Sequence, residues 1–274
     1  MLFKKLLLLF TLITVGSYLV YAASTSTCYD LDDTSLMMHM DGTNGSTNFI
    51  DETGKTVTRV GSKVVLSTDS PKFGSASVTN FSTTSYLTLA DDPAWKFGTG
   101  AFTIDFWVNF DTVPSGTVSQ LVVYNEQGSN NFFLFYGVIA EESVLSTFRF
   151  YFKTGNVYYL YPEFIRSNYV TPNVWHHFAI TRDGNNFRIL MDGTQLGSPE
   201  VSSGSFSTAT GTFTIGEYGT GETLPLVGKL DELRIVKGVA IWTGNFTPPS
   251  APYSDCDAPV GGAERRRISI CSGD

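Results

Sequence analysis

The residues whose types and spacing could do chemistry fall into four sets. Asp41 closes an apolar run and enters the bend Gly42-Thr43-Asn44-Gly45-Ser46, while Asp231 and Glu232 sit in the last long apolar run. Hard carboxylate oxygens, loop carbonyls and a glycine-rich bend are what a calcium ion requires. If the first and last strands are neighbours, Asp41 and Asp231 approach each other, and two close carboxylates repel without a cation. Calcium held by Asp41 and Asp231 is therefore one expectation. The other is that Asp41 and Asp51 cap turns while Asp231 pairs with Lys229 or Arg234. The pair His176-His177 invites a metal or acid–base reading, yet neighbours on a strand point to opposite faces. One is expected as a hydrogen-bonded interior histidine and the other as partly exposed. His39, in an apolar run, is read as interior too. Tyr124, Tyr136, Tyr151, Tyr158, Tyr159, Tyr161, Tyr169 and Trp107 could stack on sugar faces. Many of these must build the core, so no ligand-binding residue is singled out.

Nucleophilic and hydrolytic chemistry finds little support. The chain holds neither a GxSxG elbow nor an HExxH pair. Retaining glycosidases need two carboxylates about 5–5.5 Å apart, whereas Glu141-Glu142 and Asp91-Asp92 are adjacent pairs that face apart or lie in loops. Gly98-Thr99-Gly100 lacks the strand–helix context of a phosphate loop. The protein is expected not to be an enzyme. A net charge of −8 disfavours a phosphate-binding surface, so nucleic acid is not an expected partner.

The elements that must position these residues are short strands. Only 16% of the 274 residues are charged, 14% are aromatic, and Ser and Thr make up roughly a fifth of the chain, a mix suited to strands and polar turns rather than long helices. Strand signals recur from Ser35 to Val236. The clearest is Ala101-Phe102-Thr103-Ile104-Asp105-Phe106-Trp107-Val108-Asn109-Phe110, whose even-numbered residues form one apolar face and leave Trp107 on the other. Asp183-Gly184-Asn185 and Asp192-Gly193 read as hairpin turns. The best helical candidate is a single turn at Lys237–Trp242. Consecutive short strands with polar turns predict an antiparallel two-sheet sandwich.

Residues 1–22 read as a secretory signal peptide, with Lys4 and Lys5 before the apolar stretch Leu6 to Val15. No later run is long enough to span a bilayer, so a secreted or surface location without a membrane span after cleavage is expected. Residues 23–33 then form a linker, 34–253 the folded domain and 254–274 a polar tail. Cys28 and Cys256 bracket the domain, and export permits a disulfide. Cys28–Cys256 is the favoured pairing, with Cys256–Cys271 as the local alternative. The three cysteines have no CxxC or zinc spacing.

Several runs, in order, carry a resemblance. They are Leu36 to Gly42, Lys72 to Ser77, Tyr86 to Val108, Trp175 to Arg182, Phe187 to Gly193, Gly228 to Ile235 and Asn245 to Pro249. Together they resemble the laminin G-like jelly roll of the concanavalin A-like lectin/glucanase superfamily. The resemblance implies two curved antiparallel sheets in a module that is usually non-catalytic, binds glycans or proteins, and often holds one calcium ion. The superfamily's glucanases carry their carboxylates in an ExDxE-like pattern, which is absent here. The implied function is a lectin-like module recognising a carbohydrate or cell-surface protein. A structural or adhesion component of a surface, fibre or envelope is the alternative, and a glycoside hydrolase is third. Fold does not fix ligand.

Overall fold

The computed structural model describes residues 34–112, 120–126, 131–139, 146–154, 157–160, 170–205, 211–217 and 224–253. Residues 1–22, read above as a signal peptide, all three cysteines, Tyr161, Tyr169, Glu141 and Glu142 lie outside these residues. In chain order the strands are β1 (Thr34–Met38), β2 (Val57–Val60), β3 (Val65–Ser67), β4 (Ser77–Thr79), β5 (Tyr86–Leu89), β6 (Phe102–Phe110), β7 (Gln120–Glu126) and β8 (Asn131–Ile139). There follow β9 (Ser146–Thr154), β10 (Val157–Leu160), β11 (Trp175–Asp183), β12 (Asn186–Met191), β13 (Thr194–Gln195), β14 (Glu200–Val201), β15 (Phe213–Ile215) and β16 (Gly228–Lys237).

They pair into two antiparallel sheets, as the alternation predicts. The larger has nine strands in the order β13-β12-β11-β6-β16-β4-β3, with β1 also on β16 and β14 on β12; the smaller runs β10-β9-β8-β7-β15-β5-β2. The first and last strands are indeed neighbours, with Met37 opposite Arg234 and Met38 opposite Leu233. Phe102, Ile104, Phe106, Val108 and Phe110 are all fully buried between the sheets. Each such side chain stabilises the fold by roughly 1.5–3 kcal/mol. From the smaller sheet Phe135, Phe150, Phe213 and Ile215 meet them, with the Phe106 and Phe135 rings 5.3 Å apart and steeply tilted.

Both hairpin turns form as read. Gly184 takes φ 58°, and Asp192 and Gly193 take φ 48° and 77°, the paired positive values that a two-residue hairpin demands. Lys237–Trp242 is not helical; the helical turn among the described residues is Pro93–Trp95, which Asp92 caps by accepting the Ala94 N–H. Residues 239–253 form instead a strap across the outer face of the larger sheet. Thr103 Oγ1 donates to the Val239 carbonyl and accepts the Ile241 N–H, Thr181 Oγ1 donates to the Trp242 carbonyl, and the Phe246 N–H donates to the Gly193 carbonyl. These pairings take up backbone groups that a helical turn would have used internally. The strap explains why Thr103 and Asp105, on the outer face of β6, are as buried as its inner residues.

Candidate functional site

The outer face of the larger sheet carries the polar residues of β6, β11 and β16 in three rows. Pairing aligns Lys229 with Asn109 and Trp175, then Asp231 with Trp107 and His177, then Arg234 with Asp105 and Ala179. A bulge between Asp231 and Arg234 shifts the register of β16, and Glu232 there has φ 51°. The bulge turns the Glu232 carboxylate toward the opening strand, where His39 Nδ1 lies 2.9 Å away, and toward the strap, where the Tyr253 N–H donates at 3.0 Å.

The strap covers the third row. Arg234 donates twice to Asp105, at 3.0 and 2.8 Å, with both side chains essentially buried. Tyr253 lies with its ring 4.0 Å from the Arg234 guanidinium and its hydroxyl 3.0 Å from His177 Nε2. Burial would push the Asp105 carboxyl up, but the adjacent Arg234 and His177 hold it below the usual carboxylate range. Burial lowers the His177 pKa, against the pull of Asp105, and raises the Tyr253 phenol. His177 is thus the interior histidine expected. His176 is also buried, its Nδ1 2.7 Å from Asp192 Oδ2, where a partly exposed ring was expected. The Asp192 turn folds back over it, an arrangement no local pattern announces.

A second cover is the loop between β3 and β4, residues 68–76, which arches over the first two rows. Lys229 Nζ donates to Asp69 at its carbonyl and carboxylate, Trp175 Nε1 donates to the Ser70 carbonyl at 3.0 Å, and the Lys72 and Phe73 N–H groups donate to Asp231 Oδ2 at 2.8 and 3.2 Å. The Lys72 ammonium stands 3.7 Å from the Trp107 ring centre, and Phe73 meets the same indole edge-on at 5.8 Å. Trp107 therefore packs beneath a loop. Burial lowers the Lys72 pKa, against the pull of Asp192 and Asp231.

Both carboxylates expected to hold calcium grip this one loop. Asp41 Oδ1 accepts from the Ser75 N–H, the Ser75 hydroxyl and the Ala76 N–H. Asp231 Oδ1 takes the Glu232 N–H at 3.0 Å while Oδ2 takes the two loop amides. Burial pushes the Asp231 carboxyl up to about 8, reinforced by Glu232 and opposed by those amides. Both carboxylates are thus engaged by backbone amides, and among the described residues no group of three or more His, Cys, Asp or Glu is placed to hold a metal. Asp231 pairs with neither Lys229, which is bound to Asp69, nor Arg234, which is bound to Asp105. Asp51 does cap a turn, accepting the N–H groups of Met37, Thr53 and Lys55.

Gly74 lets the Asp41 clasp close. Its φ is 56°, and a Cβ there would stand 2.2 Å from Asp41 Oδ1. Gly74→Ala is expected to cost more than the roughly 1–2 kcal/mol of a left-handed backbone alone, read as a lower urea midpoint. His39 gives a pH signature. The Glu232 hydrogen bond raises its pKa above 6.5, against burial. The stabilisation is complete below pH 6.5 and is lost as pH rises through the raised value. His39→Gln should therefore lower Tm more at pH 5.5 than at pH 8.5, and an equal loss at both would contradict the pairing.

The sequence singles out Asp41, Asp231 and the histidines, but not Lys72, Asp105, Arg234 or Tyr253 as parts of these networks. Their partners lie on distant segments. The one available signal is the charged Asp105 inside an otherwise apolar and aromatic strand.

Known folds share this architecture. Domain 4 of AbnA, a GH43 extracellular arabinanase from Geobacillus stearothermophilus, solved in complex with arabinotriose, superposes with a TM-score of 0.57 at 17% identity, covering 76% of this chain and 94% of that one. The binding domain of botulinum neurotoxin DC in complex with rat synaptotagmin II gives 0.55 at 14% identity, covering 76% of this chain and 49% of that one. The same toxin binding domain with SialylT gives 0.54 at 16%, with coverages of 76% and 49%. The chain thus spans about half the length of the toxin domains. No curated protein matches it. The sequence pattern shared by concanavalin A-like lectins and glucanases runs through residues 81–240, from the end of β4 to the start of the strap. By that match and by its two-sheet jelly roll, the chain belongs to the concanavalin A-like lectin/glucanases superfamily.

Proposed function

We propose that this protein is a secreted or surface-displayed lectin-like module that binds a carbohydrate without transforming it. The observation that carries the reading is the likeness to the arabinotriose-bound domain, which this chain matches over 94% of that domain's length. The employment of the buried carboxylates supports the non-catalytic part. Asp105 is paired with Arg234, Glu232 with His39, and Asp231 with loop amides, so each holds structure in place. A catalytic acid or nucleophile needs an oxygen free to reach substrate. The toxin domain solved with synaptotagmin II supports a surface protein as the second class of ligand.

A glycan array tests this. Saturable hits that survive as unchanged sugar are expected; release of reducing ends would revive the hydrolase reading, and an empty array would overturn the lectin one. Running the array with calcium and with EDTA addresses the ion proposed for Asp41 and Asp231. A cation there must take oxygens from amide and hydroxyl donors already in place, so hits that vanish in EDTA would support calcium and hits that persist would count against it.

A further inference from the structure

Beside the arch, one tryptophan is more open to solvent than the other three. Of the four tryptophans, Trp95, Trp107 and Trp242 are 0%, 5% and 9% exposed. Trp175 is partly exposed, and its Nε1–H is spent on the Ser70 carbonyl. That bond fixes the indole and leaves ring surface without a polar demand of its own, which suits the C–H face of a pyranose or furanose. Around it the charges occur in opposite signs: Lys229 with Asp69 at 3.0 Å, and Lys72 between the pulls of Asp192 and Asp231. Such a rim offers no net field for a polyanion. It does offer exposed acceptors for hydroxyls, because the side chains of Asp69 and Asp192 are 79% and 43% exposed.

A second observation points to the same place. Trp107 and Asn109, two residues apart on the outer side of β6, are 5% and 6% exposed, yet Trp107 Nε1 and Asn109 Oδ1 have no hydrogen-bond partner among the described residues. Asn109 is the register partner of Trp175. One donor and one acceptor left unmade beneath the arch call for a group that both accepts and donates. A water or a hydroxyl has that character.

We infer that Trp175, flanked by the Asp69–Phe73 arch and Asp192, is the platform on which this module seats one residue of a neutral glycan. The inference rests on the carbohydrate-binding reading above and gives it a location. It is tested with neutral and sialylated oligosaccharides, arabinotriose among them, taking whichever binds the wild type. Trp175→Ala should weaken that binding by about tenfold or more while Tm stays near the wild-type value, and Trp175→Phe should retain most of it. Acrylamide quenching provides a readout independent of any variant. Trp175 is the tryptophan most open to quencher, so bound sugar should shield the wild-type fluorescence. Neutral sugars should be favoured over sialylated ones. If the wild type binds but Trp175→Ala binds equally well, or bound sugar gives no shielding, the location is wrong and the lectin reading stands. If the wild type binds none of the sugars, both fall.

Discussion

Arg234→Ala is expected to lower the stability of the domain by about 3–5 kcal/mol, because it strands the Asp105 carboxylate, fully buried, without its cation. For a domain of this size that is a fall in Tm of roughly 6–20 °C. The loss should extend to the strap, since the same guanidinium supports the Tyr253 ring and Tyr253 reaches His177. Limited proteolysis of the variant should therefore cut first between residues 239 and 253. The double replacement Arg234→Met with Asp105→Leu should recover much of the stability, because it removes the stranded charge along with the pair. A single variant as stable as wild type would show that the buried pair does not hold the face together.

The second large effect is expected at the centre of the sandwich. Phe106→Ala should cost about 3–5 kcal/mol by lost burial and by the cavity left behind. Phe106 is fully buried and its ring meets both Phe135 and Phe178, at 5.3 and 6.0 Å, so each sheet loses a partner. Chemical denaturation gives the measurement. A loss below about 1 kcal/mol would mean that the inner faces do not interlock at this residue.

These two residues mark what was legible in the sequence and what was not. Phe106 belongs to an alternation of period two, which is a local property of the chain, and the inner face of β6 follows from it directly. The hairpins at Gly184 and Gly193 are legible for the same reason: a two-residue turn needs positive φ, and glycine and aspartate supply it cheaply. Arg234 reads as an ordinary charge beside a strand. Its partner Asp105 lies 129 positions away, and only the alignment of β6 with β16 brings them together. For Asp41 and Asp231, the pairing of the opening and closing strands beside them was legible. Their use of backbone amides was not, since the 68–76 loop reaches them only after β4 has docked on β16. The strap was missed because Lys237–Trp242 has one turn of helical spacing, and a single turn is too short to outweigh the hydrogen bonds that Thr103 and Thr181 offer an extended segment.

The most direct test of the central claim is isothermal titration of the full chain with an oligosaccharide taken from the array. Saturable heat that ends at one bound sugar per chain, with the signal returning to baseline after each addition, is the predicted result. Absence of binding heat across the array's sugars, or a heat flow that persists with turnover, would contradict the account of a jelly roll that holds a glycan and leaves it intact.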